Sequence, residues 1–156
     1  GALKYFILKV DPEKRMIFNP AESIDINGNT GPFVQYAYAR IQSVLRKAAT
    51  VDSLKNFMEN AAPENIAVNH KEKELLKHVL SYNETVSEAA RRLSPALIAN
   101  YAYELSKLYN QFYHENVVVD AANIPSSLFR LKLSHQTGII IKRSFALLGI
   151  DVPARM

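Results

Sequence analysis

Two stretches of this 156-residue chain hold side chains whose types and spacing could do chemistry. "PFVQYAYARIQSVLRKAA" (32–49) supplies Tyr36, Tyr38 and Arg40; "PALIANYAYELSKLYNQFYHE" (95–115) supplies Tyr101, Tyr103, Tyr109 and Tyr113. Aromatic faces beside arginine suit one kind of binding above others. Unpaired bases stack on Tyr or Phe while Arg and Lys neutralise phosphate. The plainer reading is that most of these tyrosines are interior, with their hydroxyls bonded. Tyr101 lies on the apolar stripe of its helix and is assigned to the core. Tyr113 and His114 close the second stretch, where a helix end is accessible, and are the better binding candidates. Arg130 has two readings of equal weight, a phosphate contact and a helix-to-helix clasp.

Other chemistry is mostly excluded. "NGNTGP" (27–32) reads like the approach to a phosphate site, but neither the Lys-Ser/Thr ending of a P-loop nor GxGxxG spacing is present. The absence of cysteine excludes disulfides and thiolate chemistry. His70, His78, His114 and His135 lack metal-ligand spacing, and His70 and His78 on a charged helix are read as solvated. There is no GxSxG and no paired-carboxylate constellation. No catalytic residue, metal or cofactor is therefore expected within the chain.

Nineteen basic against fifteen acidic residues give a net charge of +4, a mild lean toward a polyanionic partner. The excess lies in residues 1–49 and 95–156, with a slightly acidic stretch between them. A hydrophobic content of 48% and a charged content of 22% are ordinary for a globular domain. No apolar run reaches the roughly 20 residues that span a bilayer, and Lys4, Lys9 and Asp11 interrupt the first segment, so no membrane role and a cytoplasmic setting are expected. That first segment, "GALKYFILKV", has no N-cap, which suggests a polypeptide that continues upstream.

These residues must be positioned by helices. Asn19-Pro20 with Glu22 reads as a capped helical turn. Pro32, with Gly31 as cap, opens a helix to about Ala49. Further helices are expected over 51–62, ending before Pro63, from Asn69, and from Asn83. Ser94-Pro95 starts a long helix with Leu97, Tyr101, Leu105, Leu108 and Phe112 on one face. A last helix runs from Ser126 to a cap at Gly149, with Pro153 beyond. The reading is an all-α bundle.

"GALKY" and "NGNTGPFVQYAYARIQSVLRKA" together resemble the end of the catalytic region of bacterial-type arginyl-tRNA synthetases. "LSKLYNQFYHENVV", "FRLKLSHQTGIIIKRSFALLGIDVPARM" and the terminal methionine resemble their anticodon-binding (DALR) domain. The resemblance implies a helical bundle of the class I aminoacyl-tRNA synthetase anticodon-binding type, with residues 1–30 ending the catalytic region and 31–156 forming the bundle. It implies tRNA anticodon recognition serving ATP-dependent attachment of arginine. The implied partners are an arginine-specific tRNA and the protein's own upstream catalytic domain, with neither DNA nor membrane. ATP would belong to the parent enzyme, because the HIGH-type and KMSKS-type motifs are absent here. The resemblance carries Gln35, Tyr36, Tyr38 and Arg40 to the tRNA or the domain junction, and Tyr113 and Met156 to the anticodon. Ala154 departs from the family's "VPERM"-like ending, which puts a polar side-chain contact there in doubt. The alternative reading is a helical protein-interaction module without RNA binding.

Overall fold

In a computed structural model, residues 1–60 and 66–156 are described. They form seven helices and no strand: α1 (Ala2–Leu8), α2 (Pro20–Ser23), α3 (Gly31–Ala48), α4 (His70–Leu80), α5 (Tyr82–Arg92), α6 (Pro95–Glu115) and α7 (Ile124–Leu147). The expected all-α bundle is observed.

Helix starts follow local chemistry. Asn19 accepts hydrogen bonds from the backbone of Ala21 and Glu22 and opens α2. The cap of α3 is Thr30, whose Oγ1 accepts from Phe33 N at 3.2 Å, and not Gly31, which has no side chain to accept with. Asn69 and Glu72 form a complete capping box on α4. α5 begins at Tyr82, ahead of the expected Asn83, because Ser81 keeps a right-handed helical backbone and the chain re-enters a helix at once. α7 begins at Ile124, with Asn123 accepting from Ser126 N, and its end is turned by Gly149 at φ +64°.

The helix expected over 51–62 is not formed in its described part. Residues 51–60 make successive tight turns, with Leu54 N donating to Val51 O and Phe57 N to Leu54 O. Leu54 and Phe57 are buried there, three residues apart. Two apolar anchors at that spacing suit a three-residue turn and are too few to propagate a helix. Ala61, Ala62 and Pro63 lie outside the described residues.

α6 is the central helix, packed by α3, α4, α5 and α7. Ile41, Leu105, Tyr109, Phe112, Leu131, Ile141 and Phe145 are completely buried where α3, α6 and α7 meet. α1 joins the same core through Tyr5, fully buried, whose hydroxyl lies 2.6 Å from Asn29 Oδ1 and 3.0 Å from Ala99 O. α7 is enclosed on most sides, and its inner positions include Ser127, Ser134, Thr137 and Ser144, all completely buried. Ser134 and Thr137 return their hydroxyls to the carbonyls of Arg130 and Leu133, so these two pack tightly with their donors met, whereas the buried Ser144 Oγ has no hydrogen-bond partner among the described residues. Gly138 brings α7 closest to α3: a Cβ there would stand 3.1 Å from Ile41 Cγ2.

Gly138→Ala should therefore destabilise the bundle. Helix propensity would gain about 1 kcal/mol, but overpacking a closed core costs about 1–3 kcal/mol. A net loss of up to about 2 kcal/mol corresponds to a Tm lowered by roughly 4–8 °C for a chain of this size. Thermal melting followed by circular dichroism measures it; an unchanged Tm would mean that Ile41 can yield.

Candidate nucleic-acid interface

On α3, Val34, Ala37, Tyr38, Ile41, Val44 and Ala48 face inward. Tyr36, Arg40, Ser43 and Lys47 follow at helical spacing on the neighbouring stripe, half-buried or exposed. The end of α6 comes alongside. Arg40 Nη1 donates to Asn110 Oδ1 at 2.8 Å, and the guanidinium lies 5.0 Å from the Tyr36 ring centroid and 5.2 Å from that of Tyr113. One arginine thus holds two tyrosines from different helices at the edge of one hollow. Behind Tyr113 stands the fully buried Tyr109, their rings near parallel at 6.4 Å between centroids. Burial pushes the Tyr109 phenol well above its ordinary pKa, so it stays a neutral packing group, with its hydroxyl 3.3 Å from Ser134 Oγ.

The hollow has a volume of about 470 Å³, and its walls include Tyr36, Arg40, Lys47, Tyr113, Arg155 and Met156. Arg46 also borders it, and no Asp or Glu side chain among the described residues lines it. None of the four cations forms an ion pair among the described residues. The site is positive, aromatic and open to solvent, with Tyr36 44% and Tyr113 37% exposed. A second hollow of about 400 Å³ shares Val44, Lys47 and Tyr113 and continues along His114 to Val119. This chemistry suits stacking and phosphate neutralisation, and among the described residues no group of three His, Asp or Glu could hold a metal.

Of the residues singled out from sequence, Tyr36, Arg40, Tyr113 and Met156 come together in the first hollow, and His114 borders the second. Tyr38 does not join them. It is 8% exposed and packs inward near Gly138, because two residues along a helix rotate a side chain by about 200°. Gln35 is turned toward the segment after α7, donating from Nε2 to Asp151 O at 2.7 Å. Arg130 is a clasp: its Nε donates to Glu72 Oε1 at 2.7 Å and its Nη1 to Val117 O at 2.9 Å. His78, read as solvated, instead stacks on Tyr101 at 4.4 Å between ring centroids, while His70 is exposed as expected. Ser43, Arg46, Lys47, Asn110 and Arg155 were missed, although continuing the Tyr36–Arg40 spacing along α3 leads to Ser43 and Lys47.

Residues 34–156 match the sequence model of the DALR anticodon binding domain. Over all 156 residues the chain is 52% identical to an arginine–tRNA ligase of Parabacteroides distasonis, of which it covers 26%. It is 51% identical, again over its whole length, to that of Flavobacterium psychrophilum, of which it covers 25%. The chain thus spans about a quarter of the length of these relatives. Its fold is similar to that of Thermus thermophilus arginyl-tRNA synthetase, with a TM-score of 0.86 and 30% identity over 100% of this chain and 26% of that one. The Plasmodium falciparum arginyl-tRNA synthetase gives 0.82 and 25% over 99% and 26%.

Glu72 is 2% exposed, so its partner Arg130 should be worth more to stability than a surface cation. Arg130→Ala is expected to cost about 3–5 kcal/mol by leaving a buried carboxylate unpaired. Replacing both by apolar residues of similar size (Glu72→Leu with Arg130→Met) should cost distinctly less. Urea unfolding of the two variants tests this, and equal losses would exclude a stranded charge as the cause.

Proposed function

This chain belongs to the DALR anticodon-binding domain family, and we propose that it reads the anticodon loop of an arginine-accepting tRNA as the helical domain of an arginyl-tRNA synthetase. The observation that carries the reading is the first hollow. Two exposed tyrosine faces flank Arg40, while Arg46, Lys47 and Arg155 stand around them without an ion pair among the described residues. In use, an unstacked base lies against Tyr113 or Tyr36 and is closed in by the Met156 side chain. Adjacent phosphates sit on the surrounding cations. Gln35, Tyr38 and Arg130 serve this site by packing and bonding, with no RNA contact of their own.

Arginine attachment and its ATP belong, in this proposal, to a catalytic domain elsewhere in a larger cytoplasmic polypeptide, with residues 1–30 as the connection to it. An uncovered apolar face supports that assignment. Leu3, Ile7, Ile17, Ile24 and Ile26 are each at least half exposed along α1 and the stretch after it. No helix among the described residues is long and apolar enough to cross a membrane.

Binding of an arginine tRNA transcript should fall steeply with salt. Up to four cations at about −0.7 each on single strands give a log–log slope near −3. Tyr113→Ala should lose about 1–3 kcal/mol of binding, the worth of one base stack, with the fold retained by circular dichroism. Fluorescence anisotropy across a salt series reads both. A flat salt response would favour the protein-interaction alternative, and full affinity in Tyr113→Ala would remove the stack. The 156-residue chain alone is expected to give no arginine-dependent pyrophosphate exchange.

A further inference from the structure

Met156 borders the hollow but has no anchor of its own: it is 64% exposed and makes no hydrogen bond among those of the described residues. Its place depends on the path of the segment that carries it. That segment leaves α7 through the left-handed Gly149, buries Ile150, and runs on without secondary structure. Three side chains from two helices hold it, each by a backbone carbonyl. Lys4 Nζ donates to Gly149 O at 2.7 Å, Gln35 Nε2 to Asp151 O at 2.7 Å, and Arg46 Nη1 to Ala154 O at 3.1 Å. Gln35 and Arg46 stand about three turns apart on α3, so the segment lies along that helix and delivers residues 155 and 156 to the stripe of Tyr36 and Arg40.

We propose that Gln35 and Arg46, assisted by Lys4, are positioning residues: they strap residues 149–154 along α3 so that Met156 closes the base-binding hollow. Gln35 acts through the segment and not on RNA. Arg46 does the same through Ala154 O, whatever charge it also lends the hollow. Because the strap grips carbonyls, the side chain at 154 is free to vary, and alanine serves there as well as an acidic residue. The role in RNA binding rests on the reading given under Proposed function; the strap itself can be tested without RNA.

The 156-residue chain is labelled with ¹³C at the methionine methyls, and the Met156 signal is assigned by its loss in Met156→Ala. Gln35→Ala and, independently, Arg46→Leu should move that signal toward the position of free methionine and sharpen it. The Met16 and Met58 signals should stay in place, and the Tm should fall by no more than a few degrees. A Met156 signal unmoved in both variants overturns the strap. With an arginine anticodon stem-loop RNA, Gln35→Ala should weaken binding about fivefold, the worth of one ordinary hydrogen bond. That loss should shrink in the Met156→Ala background, where only the placing of Arg155 is left to lose. A loss that persists undiminished there would make Gln35 a direct RNA contact and overturn its positioning role. If the unaltered chain binds no RNA, the functional reading fails, while the methyl signal still decides the strap.

Discussion

One buried carboxylate ties the bundle together where the binding site is built. Glu72 closes the capping box of α4 by accepting from Asn69 N at 2.8 Å, and with its other oxygen it accepts from Arg130 of α7. Arg130 also reaches the Val117 carbonyl, and Asn69 Nδ2 donates to Asn116 Oδ1 at 2.6 Å. A charge taken out of water is tolerable only when its oxygens are fully engaged, so these contacts stand or fall together. Two helices, α4 and α7, and the chain leaving α6 are thereby held in one register. Tyr113 and His114 are the residues just before that fixed point.

From there the site follows with few further requirements. α6 ends beside the outer stripe of α3, and Arg40 fills the gap, bonded to Asn110 and facing two rings. A guanidinium is suited to this because it donates in plane and offers its face to aromatics at the same time. The tyrosines are sorted by depth. Tyr101 and Tyr109 are core, Tyr38 packs inward, and Tyr36 and Tyr113 keep a face to solvent. Close approach of α3 and α7 at Gly138 sets the inner face of α3 against the bundle and leaves Tyr36, Arg40, Ser43 and Lys47 on its outer side.

The segment after α7 has a different character. Its hydrogen bonds are at the surface, where each contributes about 0.5–1.5 kcal/mol. Only Ile150, and in part Val152, sink into the core. A firm frame of helices therefore carries one wall of the hollow on a lightly held strand of backbone.

The amino-acid sequence by itself determined the helices and the candidates. Capping residues at Asn19 and Asn69, prolines in first turns, and apolar spacing are local signals, read within about four residues. They gave the all-α class, the long α6 and the core position of Tyr101. They failed where locality fails: at Ser81, where one helix ends and the next opens at once, ahead of Asn83, and at 51–60, where burial of Leu54 and Phe57 accompanies turns. Only the tertiary structure decided which partner each chemically capable residue met. Arg130 was balanced between RNA and a clasp until Glu72, 58 positions away, was found against it. Gln35 looked like a binding residue until Asp151, 116 positions away, took its amide. Arg155 had no distinguishing mark until the fold set it beside Arg40 and Lys47 around one hollow. Helical periodicity fixes a side chain's direction on its own helix, but what stands opposite depends on long-range packing, and no spacing rule within one segment encodes it.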